Sequence, residues 1–138
     1  MIGIVIIGHG DFPSGILESV QLIAGKIENV AVIPFREDQE KLLAELESAI
    51  GDVDSGNGVV CFTDLAGGTP FNVSGKIAAK RKDVRVIGGT NSPMLLSGLF
   101  KRTLELDEFI TTIIREGKES IKVFEMKKTE VKVNEDGI

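Results

Sequence analysis

Val59-Val60-Cys61-Phe62-Thr63-Asp64-Leu65-Ala66-Gly67-Gly68-Thr69-Pro70-Phe71-Asn72 decides the fold. Its first five residues form an apolar, β-branched run, which predicts a strand buried on both faces. The segment from Asp64 to Gly68 predicts a tight turn. Thr69 is a good N-cap and Pro70 a good first helical residue, so a helix is expected from residue 71 to about 81. Its small residues Ser74, Gly75, Ala78 and Ala79 permit close packing on a sheet.

The same strand–turn–helix order recurs on both sides. Upstream, residues 2–7 read as a strand that runs into Gly8-His9-Gly10. Pro13 suits a first helical turn, Ile16, Val20 and Ile23 follow at helical spacing, and Gly25 can end that helix. Residues 30–33 predict a second strand. Residues 38–50 predict a helix with a stripe of Leu42, Leu43, Leu46 and Ile50, closed by Gly51. Downstream, residues 84–88 predict a fourth strand ending in Gly89-Thr90-Asn91, where Ser92-Pro93 repeats the cap-plus-proline signature. Helices are expected over 94–100 and 106–117. Residues 120–126 alternate as an edge strand would. Four β-then-α units imply an α/β, doubly wound, mostly parallel sheet with helices on both faces. No composition break occurs, so one domain is expected over 1–126, followed by a charged tail over 127–138.

The chain has 138 residues, a net charge of −5 and a pI near 4.9. Nucleic acid is a poor partner, because binding its backbone needs clustered Lys and Arg. One Cys and one His cannot build a Cys/His zinc site, and no intrachain disulfide is possible. No metal and no cofactor are therefore expected. With no membrane-length apolar run and no signal-peptide pattern, the expected location is the cytoplasm. Cys61 reads as a core residue.

In an open α/β sheet, ligands bind beyond the carboxyl ends of the strands, where strand order reverses. With the order 2-1-3-4, the first and third strands are neighbours at that point, which brings His9 beside Asp64. A neutral His can act as base or nucleophile, and a carboxylate on one ring nitrogen fixes the tautomer and leaves the other nitrogen free. Gly67, Gly68 and the helix start near Thr69 and Pro70 form a cradle of phosphate size, rich in backbone N–H and free of Arg and Lys. Such a set suits a covalent phosphohistidine. Each residue also has a plainer reading. His9 can end a strand, Asp64 can cap a turn, Thr69 can serve only as an N-cap, and Thr90-Asn91 can be ordinary turn chemistry. A non-catalytic module that binds a small anion or metabolite fits the same features. A histidine phosphatase fits poorly, because Gly8 stands before His9 and no second His exists.

Three segments together carry a resemblance: Gly8-His9-Gly10, Asp64 to Asn72, and Gly88-Gly89-Thr90-Asn91-Ser92-Pro93-Met94-Leu95. They resemble the IIA domain of the mannose family of the bacterial phosphoenolpyruvate-dependent sugar phosphotransferase system, over residues 1 to about 126. The resemblance implies that His9 accepts a phosphoryl group on Nε2 from phospho-HPr and passes it to a IIB component. It also implies that Asp64 orients the ring through Nδ1 and that the Thr69 hydroxyl, usually Ser in the family, holds the phosphoryl group with Gly67 and Gly68. Thr90, Asn91 and Met94 fall at the rim, where HPr and IIB are expected to dock. The implied sheet ends in an antiparallel C-terminal edge strand, here over 120–126, exchanged between subunits of a homodimer. No Ala/Pro-rich linker follows, so IIB is expected as a separate protein, with only indirect association with membrane IIC and IID components. Leu65-Ala66 replaces a bulkier pair of the mannose transporter. The phosphotransfer subunit of dihydroxyacetone kinase is a more distant match, since it carries Ser-His-Ser and lacks Gly-Gly-Thr-Pro-Phe-Asn.

Overall fold

A computed structural model describes residues 1–127. The charged tail expected from residue 127 onward lies, beyond its first residue, outside the described residues. The elements run β1 (Gly3–His9), α1 (Phe12–Ala24), β2 (Val30–Phe35), α2 (Gln39–Val53), β3 (Val59–Thr63), α3 (Thr69–Ala78), β4 (Val84–Ile87), α4 (Ser92–Phe100) and α5 (Leu106–Glu119). The sheet order is β2-β1-β3-β4, and all three pairings are parallel. This is the doubly wound arrangement expected from the βα repeats.

Alternation along the central strands sorts the core into two layers. Val5, Ile7 and Cys61 face Leu42, Leu46, Ile50 and Val73 of α2 and α3. Ile4, Ile6 and Phe62 face Val20, Leu95, Phe109 and Ile113 of α1, α4 and α5. Apolar burial on both faces explains why β1 and β3 are almost unbroken apolar runs. Burial pushes the Cys61 thiol up to about 12, which leaves it an inert core group.

Several boundaries differ from the sequence reading. β1 continues through Gly8 and His9, and β2 through Pro34 and Phe35. Pro34 is tolerated because β2 lies at the sheet edge. α2 runs past Gly51 to Val53. α3 begins two residues before the expected start and ends at Ala78.

The antiparallel strand expected over 120–126 does not form among the described residues of the single chain. Ser120 closes α5 through its bonds to Glu116 O and Gly117 O, and residues 121–127 form no regular structure and are exposed. A strand gains stability only by pairing, and within a single chain this segment does not pair with β4.

The pole of the sheet opposite the polar loops is closed by one cation. The Arg102 guanidinium is buried and donates to the carbonyls of Ile2 at 2.8 Å, Glu28 at 2.6 Å and Asn29 at 2.7 Å. An Arg102→Met variant keeps the stem but leaves three carbonyls without this donor. A loss of about 2–4 kcal/mol of unfolding free energy is expected, read from urea denaturation.

Candidate active site

β1 and β3 pair up to Ile7 opposite Thr63; beyond that point β1 continues along β2 through His9 while β3 turns away at Asp64, at the carboxyl edge. That register brings His9 and Asp64 together. Asp64 Oδ2 accepts from the His9 backbone N–H at 2.9 Å and lies 2.8 Å from His9 Nδ1. Asp64 Oδ1 accepts from the Leu65 N–H at 2.9 Å. Burial alone would raise the Asp64 carboxyl, but the His9 and Leu65 contacts together outweigh it and hold the group below the usual carboxylate range. With the carboxylate on Nδ1, the neutral imidazole carries its proton there and its lone pair on Nε2. The His9 side chain is 45% exposed against 11% for Asp64, so the carboxylate is covered and the imidazole is open.

The β3–α3 loop closes against the ring. A Cβ on Gly68 would lie 3.2 Å from His9 Cε1, so glycine lets the backbone approach the imidazole. Gly67 turns the chain at φ 84°, a conformation suited to glycine. Asn72, on the first turn of α3, donates from Nδ2 to Gly67 O at 3.1 Å and ties the loop to the helix.

The expected cap of α3 needs correcting. Gly68, and not Thr69, is the N-cap; Thr69 is the first helical residue, and no side chain caps the helix. The physical reason lies one residue upstream: Gly68 already has the extended backbone of a cap, at φ −77° and ψ 170°. The correction matters chemically. α2, α4 and α5 are capped by Asp38, Asn91 and Glu105, whereas the start of α3 beside His9 has neither a side-chain cap nor an acidic residue. Pro70 has no N–H and the Asn72 N–H donates to Gly68 O at 2.9 Å, so the Thr69 and Phe71 N–H groups are the ones at this helix start without an intrahelical acceptor.

The loop after β4 plays a different part. A Cβ on Gly88 would lie 2.6 Å from Ala66 Cα, so this loop backs directly onto the β3–α3 loop. Thr90 is buried; its N–H donates to Thr63 O at 3.1 Å and its hydroxyl has no partner. Asn91, and not Ser92, caps α4. Its Oδ1 accepts from the Met94 N–H at 3.0 Å, and its Nδ2 donates to Gly117 O at 3.0 Å. Met94 is buried against Gly117. Asn91 and Met94 are thus committed to joining α4 and α5.

Sequence reasoning passed over the loop after β2. Phe35 lies opposite His9 in the parallel register, and the two rings meet edge to face with centroids 5.8 Å apart. Arg36 follows and pairs with Asp11 at 2.8 Å. The one available signal was that Arg36 is the only Lys or Arg in residues 8–12, 34–38, 64–69 and 88–92, the segments at this edge.

The family model described as PTS system fructose IIA component, EIIA-man, matches residues 3–129. The chain belongs to this family. The mannose-specific EIIAB component of Escherichia coli K12 is 32% identical over 133 residues, 94% of this chain but 41% of that protein. The chain therefore spans less than half the length of that relative. The fructose-specific EIIA component of Bacillus subtilis is 30% identical over 126 residues, 89% of this chain and 86% of its own. A crystal structure of the phosphotransferase system component EIIA from Streptococcus agalactiae superposes with a TM-score of 0.82 at 34% identity, covering 89% of this chain and 97% of that one. In this IIA chain, no helix among the described residues is long and apolar enough to cross a membrane. The His9–Asp64 pair lies on an open edge, with the carboxylate against Nδ1 of the ring and an uncapped helix start beside it.

Proposed function

We propose that this protein is a phosphocarrier of a sugar phosphotransferase system. The reading rests above all on one observation. His9 is held through Nδ1 by Asp64, 2.8 Å away, with the uncapped start of α3 against the ring. His9 Nε2 attacks phosphorus in line, and the bond to the donor, phospho-HPr, breaks. Asp64 stabilises the charge that develops on the ring. The Thr69 hydroxyl and the backbone around Gly67 and Gly68 bind the phosphoryl oxygens. A separate IIB component then takes the group from Nε2. The openness of His9 supports such a role, since two protein partners must reach the same nitrogen in turn.

Incubation with phosphoenolpyruvate, enzyme I and HPr tests this directly. An acid-labile mass gain of one phosphoryl group should appear, and fragmentation should place it on the peptide that carries His9. No gain, or a label elsewhere, rejects the reading.

The same proposal includes a homodimer built by exchange of the C-terminal segment. A groove of about 430 Å³ runs beside the unpaired edge of β4, walled by Phe71, Val86, Ile87, Ile110 and Ile114, and Ile121 borders it. Ile121, Val123, Phe124 and Met126 are exposed apolar side chains on a segment that pairs with no strand among the described residues. Pairing with β4 of a second copy would cover both. A chain ending at Ser120 should sediment as a monomer or aggregate. A stable dimer of that truncated chain would rule out the exchange.

A further inference from the structure

The cradle around Gly67, Gly68 and Thr69 supplies hydrogen-bond donors but no full positive charge. A phosphoryl group on His9 brings about two negative charges to a site that already holds the Asp64 carboxylate. Some compensation is needed, and Arg36 is the only Lys or Arg in the four segments that follow the strands, residues 8–12, 34–38, 64–69 and 88–92. The β1–β2 register sets Phe35 opposite His9, and the Gly10 N–H donates to Phe35 O at 2.9 Å. Arg36 is therefore the first residue beyond the pairing. Its guanidinium lies over Gly10, with Nη1 3.6 Å from where a Cβ on that residue would stand. This places the cation one residue along the chain from the reactive histidine.

Arg36 is parked rather than locked. Its Nη2 donates to Asp11 Oδ1 at 2.8 Å, and the two side chains are 63% and 90% exposed. A pair this open holds weakly, so its partners exchange at little cost. A dianionic phosphoryl group offers the guanidinium more charge than one carboxylate, with oxygens suited to its two-pronged geometry. Asp11 stands at the start of α1 and makes no capping bond there, its carboxylate being taken by Arg36.

We propose that Arg36 is the phosphoryl-binding cation of this site, exchanging Asp11 for the phosphoryl oxygens as the group arrives on His9. The inference rests on the phosphocarrier reading. In the step itself, the His9 Nε2 lone pair forms the N–P bond. The bond from phosphorus to the donor nitrogen breaks, and its electron pair stays with the donor. Arg36 neither gives nor takes a proton; it neutralises charge on the equatorial oxygens.

The test uses the full chain and two donors, phospho-HPr and the small molecule phosphoramidate. Arg36→Met should be labelled roughly tenfold more slowly than wild type by both donors, the loss expected for one charge-assisted contact. Arg36→Lys should recover part of the rate. Asp11→Asn, which frees Arg36, should be labelled at least as fast as wild type. The phosphorus NMR resonance of phosphorylated His9 should shift between wild type and Arg36→Met. Wild-type labelling of Arg36→Met by phosphoramidate overturns the proposal. So does a deficit confined to phospho-HPr, which would make Arg36 a contact for the donor protein. A wild-type chain that takes no label from phospho-HPr rejects the phosphocarrier reading itself, and so is told apart from failure of the arginine alone.

Discussion

His9→Gln should take up no phosphoryl group from phospho-HPr under conditions that label the wild type completely. The sequence contains no other histidine, so no second imidazole can substitute. Glutamine keeps a polar side chain that can donate to Asp64, but its amide nitrogen has no available lone pair. The attack is lost while most of the local hydrogen bonding is kept. The backbone N–H at position 9 still reaches Asp64 Oδ2, because that bond depends on the β1–β3 register and not on the ring. With nearly half of the His9 side chain exposed, little core packing is lost. Stability should change by less than about 1 kcal/mol, which urea denaturation will check. A persisting acid-labile label would move the acceptor elsewhere and remove the basis for the site.

The parts of this fold legible in sequence are those fixed by short-range physics. β1 and β3 announce themselves because strands buried on both faces need unbroken apolar runs. α2 is visible because its stripe of Leu42, Leu46 and Ile50 has a helical period. The pairing of His9 with Asp64 follows from strand order, since His9 ends β1 and Asp64 follows directly on β3, the adjacent strand. The caps of α3 and α4 lie one residue earlier than their sequence signature places them. Thr69-Pro70 and Ser92-Pro93 both carry the right signature, but Gly68 and Asn91 take the cap positions. At α4 the choice rests on reach, as Asn91 spans from Met94 N–H to Gly117 O.

What sequence could not show depends on register between distant segments. Phe35 and Arg36 matter only because β2 aligns Phe35 with His9, and no local pattern in residues 34–38 signals that. Asn72 lies five residues beyond Gly67 in sequence, and its bond to Gly67 O appears only once the loop is closed. The alternation over 120–126 is real, but alternation describes a surface looking for a partner. Among the described residues of one chain that surface has none, so the pattern yields no strand there.

Asp64→Asn should slow phosphoryl transfer on the order of 10²- to 10⁴-fold while leaving the fold intact. The two carboxylate oxygens have different duties: Oδ2 serves His9 N–H and Nδ1, and Oδ1 serves Leu65 N–H. An asparagine has one oxygen to replace both. If the oxygen faces Leu65, the amide NH₂ faces His9 and favours the tautomer with its proton on Nε2, which has no lone pair to attack with. If the oxygen faces His9, the NH₂ opposes the Leu65 N–H, and the negative charge that would stabilise the phosphorylated ring is still missing. A stability cost of about 1–2 kcal/mol near pH 7 follows from the unsatisfied donor. The pH dependence has a defined sign. The Asp64 carboxyl is held below its ordinary value in the folded chain, so its contribution is complete above the unfolded value of about 4 and fades as pH falls through the lower folded value. The stability gap between wild type and Asp64→Asn should therefore be widest near neutral pH and shrink below about pH 4. Urea denaturation at both pH values, together with phosphoryl-transfer rates near neutrality, separates the two roles. An unchanged rate would take Asp64 out of the chemistry, and a gap that persists unaltered in acid would take its charge out of the stability.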